Sequence, residues 1–168
     1  MTMENAIKVI NDMQTLGIIK KYAVGGAVAA IFYIEPLLTY DLDIFFVPAQ
    51  ESEGLLVLSP VYAYLKGKGY KAEQEHIIIE GIPVQFLPVY NDLVKEAVDN
   101  AVQMKYRDTI VNVLRQEYLL AIMVQTLRPK DKQRIIKFLD EGNVNEALLE
   151  EILNNHQLKT RFELFRRS

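Results

Sequence analysis

The chain has 168 residues, half of them apolar and 24% charged, few of them Gly or Pro, with a formal net charge of −3. That composition describes one ordinary globular domain with its own core and excludes a fibrous or disordered chain. The mild negative charge offers no broad attraction to nucleic acid or anionic lipid, so a dedicated nucleic-acid binder is disfavoured. Because there is no cysteine, disulfides, zinc-thiolate sites and thiol chemistry are excluded.

The opening residues, MTMENAIKVINDM, lack a basic stretch followed by a long apolar run and do not read as a signal peptide. The longest apolar stretch, residues 27–34, is far short of the roughly 20 residues that span a bilayer. A soluble, cytoplasmic protein is expected. Ala6, Ile7, Ile10, Met13 and Leu16 recur at helical spacing, with Gly17 suited to the cap that follows. Residues 22–24 form a short strand ended by Gly25-Gly26, and residues 27–34 read as a buried helix stopped by Glu35-Pro36. Residues 41–47 then alternate, with Leu42, Ile44 and Phe46 on one face and Asp41, Asp43 and Phe45 on the other.

Ser59-Pro60 reads as a helix start, with Ser59 as cap, and the helix runs to Gly67 and Gly69. Residues 72–79 and 82–89 are strand-like runs joined by Glu80-Gly81, which predicts a hairpin. Asn91 caps a helix whose stripe is Leu93, Val94, Ala97, Val98, Ala101 and Val102, and residues 109–114 form one more strand. Residues 118–127, 130–139 and 144–153 are helical, broken by Arg128-Pro129 and Gly142. The predicted architecture is an α/β (α+β) fold. A short mixed sheet flanked by helices fills residues 1–114, and a helical extension, residues 115–168, packs on it within a single domain.

Two carboxylates at i and i+2 on one strand face sit roughly 6–7 Å apart at their Cα atoms, from ~3.3 Å of rise per residue. Leaving both unpaired and partly buried would cost several kcal/mol or raise their pKa values, whereas a divalent ion such as Mg²⁺ offsets the repulsion with hard oxygen ligands. A strand ending in Gly-Gly lets backbone N–H groups and the following helix approach a phosphate. Taken singly, Asp-x-Asp is often an exposed strand end and Gly-Gly a turn. Together, in the order strand, Gly-Gly, helix, Asp-Leu-Asp, they describe a nucleoside-triphosphate site.

The stretch VGGAVAAIFYIEPLLTYDLDIFF, residues 24–46, resembles the hG[G/S]…DhDh signature of the nucleotidyltransferase superfamily related to DNA polymerase β. Its Thr-x-Asp-Leu-Asp form is similar to small prokaryotic members, including those related to abortive-infection toxins. EYLLAIMVQTLRPKDKQRI, residues 117–135, is similar to their helical region. The resemblance implies Gly25, Gly26, Thr39 and Lys130 as nucleotide contacts and Asp41 and Asp43 as catalytic ligands of Mg²⁺, with two ions possible. It also implies a nucleoside triphosphate as substrate and an unidentified hydroxyl acceptor, whether small molecule, protein or tRNA.

The departures from that pattern concern charge. Gln85, in IPVQFLPV, stands where many members carry a third carboxylate, and it can act neither as an anionic ligand nor as a base. Met123 replaces a lysine, Arg134 an acidic residue, and Leu37-Leu38 occupies a region where an arginine is common. Asp131 is a candidate substitute carboxylate. His76 reads as a surface strand residue, His156 as a helix end, and Lys20-Lys21 and Arg161, Arg166 and Arg167 as solvated charges. Of the nine tyrosines, Tyr40 is the candidate for stacking on a base. Two functions from different classes follow. One is a Mg²⁺-dependent nucleotidyltransferase. The other is a degenerate member kept as a nucleotide-binding or protein-interaction module, toxin–antitoxin-like, with a protein partner or a second copy of itself.

Overall fold

A computed structural model of the chain describes residues 2–34, 41–51 and 54–167. Thr39, Tyr40, the Glu35-Pro36 stop and Leu37-Leu38 therefore lie outside the described residues. Helix α1 (Met3–Thr15) is capped by Thr2, whose hydroxyl accepts from Asn5 N at 3.0 Å, and it buries Ala6, Ile7, Ile10 and Met13 as the helical spacing predicts, with Val9 added, while Leu16 stands at the C-cap, exposed. Strand β1 (Ile19–Gly25) is longer than residues 22–24, because Ile19 to Lys21 continue the pairing with the next strand. Helix α2 (Gly26–Ala30) is shorter than the expected 27–34, and the chain tightens into turns through Ile34, whose N–H donates to Ala30 O at 3.0 Å. Strand β2 (Leu42–Pro48) follows.

A 3-10 turn (Gly54–Leu58) feeds directly into α3 (Ser59–Gly67), so Leu58 occupies the cap position and Ser59 is already helical, which corrects the Ser59 cap. The run 72–79 is not one strand. It breaks at Gln74, held at φ 55, into β3 (Lys71–Glu73) and β4 (His76–Ile79). Strand β5 (Ile82–Pro88) pairs with β4 across Glu80-Gly81, both at positive φ, the geometry that suits a two-residue hairpin.

Asn91 caps α4 (Asp92–Asp99), its Oδ1 accepting from Val94 N at 2.8 Å, as expected. The helix stops before Ala101 and Val102, and Val102 opens a strand that the sequence reading missed, β6 (Val102–Tyr106), paired with β7 (Thr109–Val113). Helices α5 (Gln116–Thr126), α6 (Pro129–Glu141), α7 (Glu146–Asn155) and α8 (Lys159–Arg167) complete the chain.

The strands form one seven-stranded mixed sheet in the order β3-β4-β5-β2-β1-β7-β6. Its centre is antiparallel between β1 and β2 and parallel between β2 and β5 and between β1 and β7. Residues in register share a face, so Leu42, Ile44 and Phe46 join Tyr22, Val24, Val84 and Phe86, all buried. Fully burying Leu42, Ile44 and Phe46 contributes about 1.5–3 kcal/mol each. Helix α1 lies on this face, where the Tyr22 hydroxyl donates to Asn11 Oδ1 at 2.6 Å. The opposite face carries Ala23, Gly25, Asp43, Phe45 and Gln85. Helix α5 touches α2, α4, α6, α7 and α8 and shares one apolar core with the sheet. Among the described residues no helix is long and apolar enough to cross a membrane.

Candidate active site

A cleft of about 540 Å³ opens between the Asp43 face of the sheet and helices α5 and α6. Strand β2 begins at Leu42, so Asp41 precedes its first ladder residue and Asp43 follows it, and period-two alternation turns both carboxylates the same way. Both line the cleft, Asp43 half-buried and Asp41 exposed. The sheet then fixes their neighbours. Asp43 is in register with Gly25 on one side and with Gln85 on the other. Gln85 also lines the cleft, which puts a neutral amide directly beside Asp43 at the position where the resemblance implies a third acid.

The two glycines have separate structural duties. Gly26 sits at φ +59, and a Cβ added to it would collide with Asp43 Oδ2 and lie 3.1 Å from its Cγ. The carboxylate therefore rests on bare backbone. A Cβ at Gly25 would run into the Phe45 ring, and Gly25 is buried beneath it. Gly26 is the member of the pair that lines the cleft, while Gly25 packs against Phe45.

The opposite wall is α6. Pro129 at its first turn fixes the start, and Lys130 and Arg134, one turn apart, both line the cleft. Burial pushes the Asp43 carboxyl above its ordinary value and Asp41 adds to the rise, while the charges of Lys130, Arg134 and His76 oppose it. Burial wins, so ionised Asp43 has an unmet demand for positive charge.

Asp131 is fully buried and differently employed. Its Oδ2 accepts from Arg128 N at 3.0 Å, Arg128 Nε at 2.8 Å and Thr126 Oγ1 at 2.7 Å, and its Oδ1 accepts from Arg128 Nη2 at 3.2 Å. Burial alone would raise its pKa, but these bonds outweigh it and hold the carboxyl below the usual value. Asp131 closes a capping box that mounts α6. It also lines the cleft.

Among the lining residues that sequence reasoning missed are His76 and Tyr90. His76 is 18% exposed in its side chain, and its Nε2 stands 3.4 Å from Asp41 Oδ2. The sheet order β4-β5-β2 delivers it there, a long-range fact with no local signal. Tyr90 stands at the end of β5, half-exposed, with its ring 6.5 Å from that of Phe45. Met123 lines the same cleft from α5. The remaining charges lie elsewhere. Lys21 pairs with Asp99 at 3.2 Å, His156 Nε2 meets Glu96 Oε2 at 3.2 Å, and Arg161, read as solvated, donates its Nε to Val124 O at 2.8 Å and docks α8 on α5.

The whole architecture overlays on the crystal structure of an antigenic nucleotidyltransferase-like protein from Paracoccidioides brasiliensis. The TM-score is 0.56, at 12% identity, over 98% of this chain and 93% of that one. The fold is nucleotidyltransferase-like. At that identity the likeness speaks for architecture alone. No family model matches the chain, and no curated protein matches it. Among the described residues no group of three or more His, Asp or Glu is gathered to hold a metal ion. The donors at hand are two carboxylates and an amide oxygen, which are hard ligands. They suit an ion that uses one or two carboxylates and completes its shell with water and substrate phosphate, as Mg²⁺ does.

Proposed function

We propose that this protein is a member of the nucleotidyltransferase superfamily that moves a nucleoside monophosphate from a nucleoside triphosphate to an acceptor hydroxyl. The observation that carries the reading is one cleft lined by Asp41 and Asp43 on one wall and by Lys130 and Arg134 on the other, with Gly26 against Asp43. Asp41 and Asp43 would hold Mg²⁺, and Gln85, in register with Asp43, would add a neutral oxygen. When bound, the ion supplies charge neutralisation at the triphosphate and at the leaving pyrophosphate.

The protein's own groups do the rest. Lys130 and Arg134 receive phosphate oxygens, Gly26 presents a backbone free of Cβ, and the α5–α6 wall limits water at the reacting phosphorus. The acceptor hydroxyl releases its proton to solvent as its oxygen bonds to the α-phosphorus, and the bond from that phosphorus to the β-phosphate oxygen breaks to free pyrophosphate. The reading sets the protein in the cytoplasm, where nucleoside triphosphates are supplied.

Gln85 favours a second reading. With a neutral amide in register with Asp43, the site binds nucleotide without turnover, and the chain serves as a binding module of the toxin–antitoxin kind. Pyrophosphate release with Mg²⁺ and each of the four triphosphates, with Asp41→Ala and Asp43→Ala run alongside, separates the two. Turnover lost in both variants supports the enzyme. Saturable ATP binding with no turnover sinks it and leaves the module.

A further inference from the structure

The cleft is lined by charged groups, Asp41, Asp43, Lys130 and Arg134 among them, and by the apolar surface of Phe45, Leu87 and Tyr90. Tyr90 is the unusual member, a large aromatic left 54% exposed. An exposed ring on a loose loop would need no account. This loop is not loose. Val89 N donates to Phe46 O at 3.0 Å on one side of it, and on the other Asn91 caps α4 and donates its Nδ2 to Gln125 Oε1 at 2.9 Å on α5. Phe45 backs the ring at a 42° tilt, and the charge of Arg128 acts on its phenol. An exposed ring on an anchored backbone, in contact with Phe45 and lining the cleft, can serve as a stacking platform for a flat partner.

Resting on the nucleotidyltransferase reading, we infer that Tyr90 forms the base subsite, its ring stacking on the nucleobase of a triphosphate whose phosphates lie toward Lys130 and Arg134. Stacking on a π-face tolerates any base, so this contact contributes affinity without selecting among the four nucleotides. Arg128, already paired with Asp131, acts on the ring and can cover the base edge without competing for the phosphates.

The test compares full-length native protein with Tyr90→Ala, Tyr90→Phe and Tyr90→Trp by calorimetric titration. The probes are magnesium ATP and magnesium tripolyphosphate, which carries the phosphates without a base. Tyr90→Ala is expected to weaken ATP by roughly 10-fold or more, within the range seen for lost base stacking, and to leave tripolyphosphate unchanged. Tyr90→Phe should bind as the native protein does. The chain has no tryptophan, so Tyr90→Trp introduces a sole indole, and its fluorescence should be quenched by ATP and not by tripolyphosphate. Native-like ATP binding by Tyr90→Ala overturns the inference, as does equal weakening of both probes. A native protein that binds both probes equally well loses the base subsite and keeps the phosphate cleft. One that binds neither loses the nucleotide reading itself, and the inference with it.

Discussion

Replacing Gly26 by alanine perturbs two separable quantities. Its φ of +59 costs a residue with a side chain about 1–2 kcal/mol. The new Cβ also meets Asp43 Oδ2 and stands 3.1 Å from Cγ, overpacking that costs typically about 1–3 kcal/mol more. The single substitution should therefore lose about 2–5 kcal/mol, a large share of the roughly 5–15 kcal/mol that holds a domain folded. In an Asp43→Ala background the clashing carboxylate is gone, and the Cβ that remains would be 3.4 Å away, ordinary contact. Only the backbone cost should survive there. Urea unfolding of the native protein, both single variants and the double variant, without metal at pH 7, closes the cycle. The double variant is expected to be about 1–3 kcal/mol more stable than the sum of the singles predicts. Additivity within about 0.5 kcal/mol would show that Gly26 is not the seat of the carboxylate, and a native-like Gly26→Ala would refute both terms.

Asp43→Asn should raise the metal-free melting temperature at pH 7. The folded state holds that carboxyl above its ordinary value, so ionising it costs stability that grows as pH rises through the unfolded and then the folded pKa. Scanning calorimetry should show the gap closing toward acid pH, and the stabilisation by Mg²⁺ should be lost in the variant. Asp131→Asn should behave oppositely. The Asp131 carboxyl lies below its ordinary value, and its contribution, about 1–3 kcal/mol for a buried charge-assisted set, is present above the unfolded pKa. It vanishes as pH falls through the folded one, and a native-to-variant difference in urea midpoint that persists in acid would refute this. Gln85→Asp places a third acid in register with Asp43. Melting curves should show it less stable than native without metal and more strongly stabilised by added Mg²⁺, and no change in either quantity would mean that position 85 does not face the pair.

What could be read from the sequence was local. Leu42, Ile44 and Phe46 alternate strictly with Asp41, Asp43 and Phe45, and the period of two fixes both the buried face and the carboxylate face. The helix at Asn91 was legible from its cap, but its end was not, since Ala101 and Val102 keep the helical phase while Asn100 already ends the helix. Strand β6 was hidden because Gln103 and Lys105 alternate with half-buried residues on an edge strand, and the turn after it uses Arg107 at φ 54 instead of a glycine. Gln74 hid the β3–β4 turn in the same way. Within the site, the pairing of Asp43 with Gln85 and the arrival of His76 depend on strand order. No window of sequence contains that information.

The balance of ionic groups around the cleft has an effect on how it fills. Among the described lining residues, four carboxylates, Asp41, Asp43, Glu75 and Asp131, face three permanent cations, Arg128, Lys130 and Arg134. With no surplus positive potential waiting there, a bare polyanion is not drawn in by the field alone. Under the proposed function, nucleotide and counter-ion would enter as a coupled pair, and each should tighten the other's hold by the same factor.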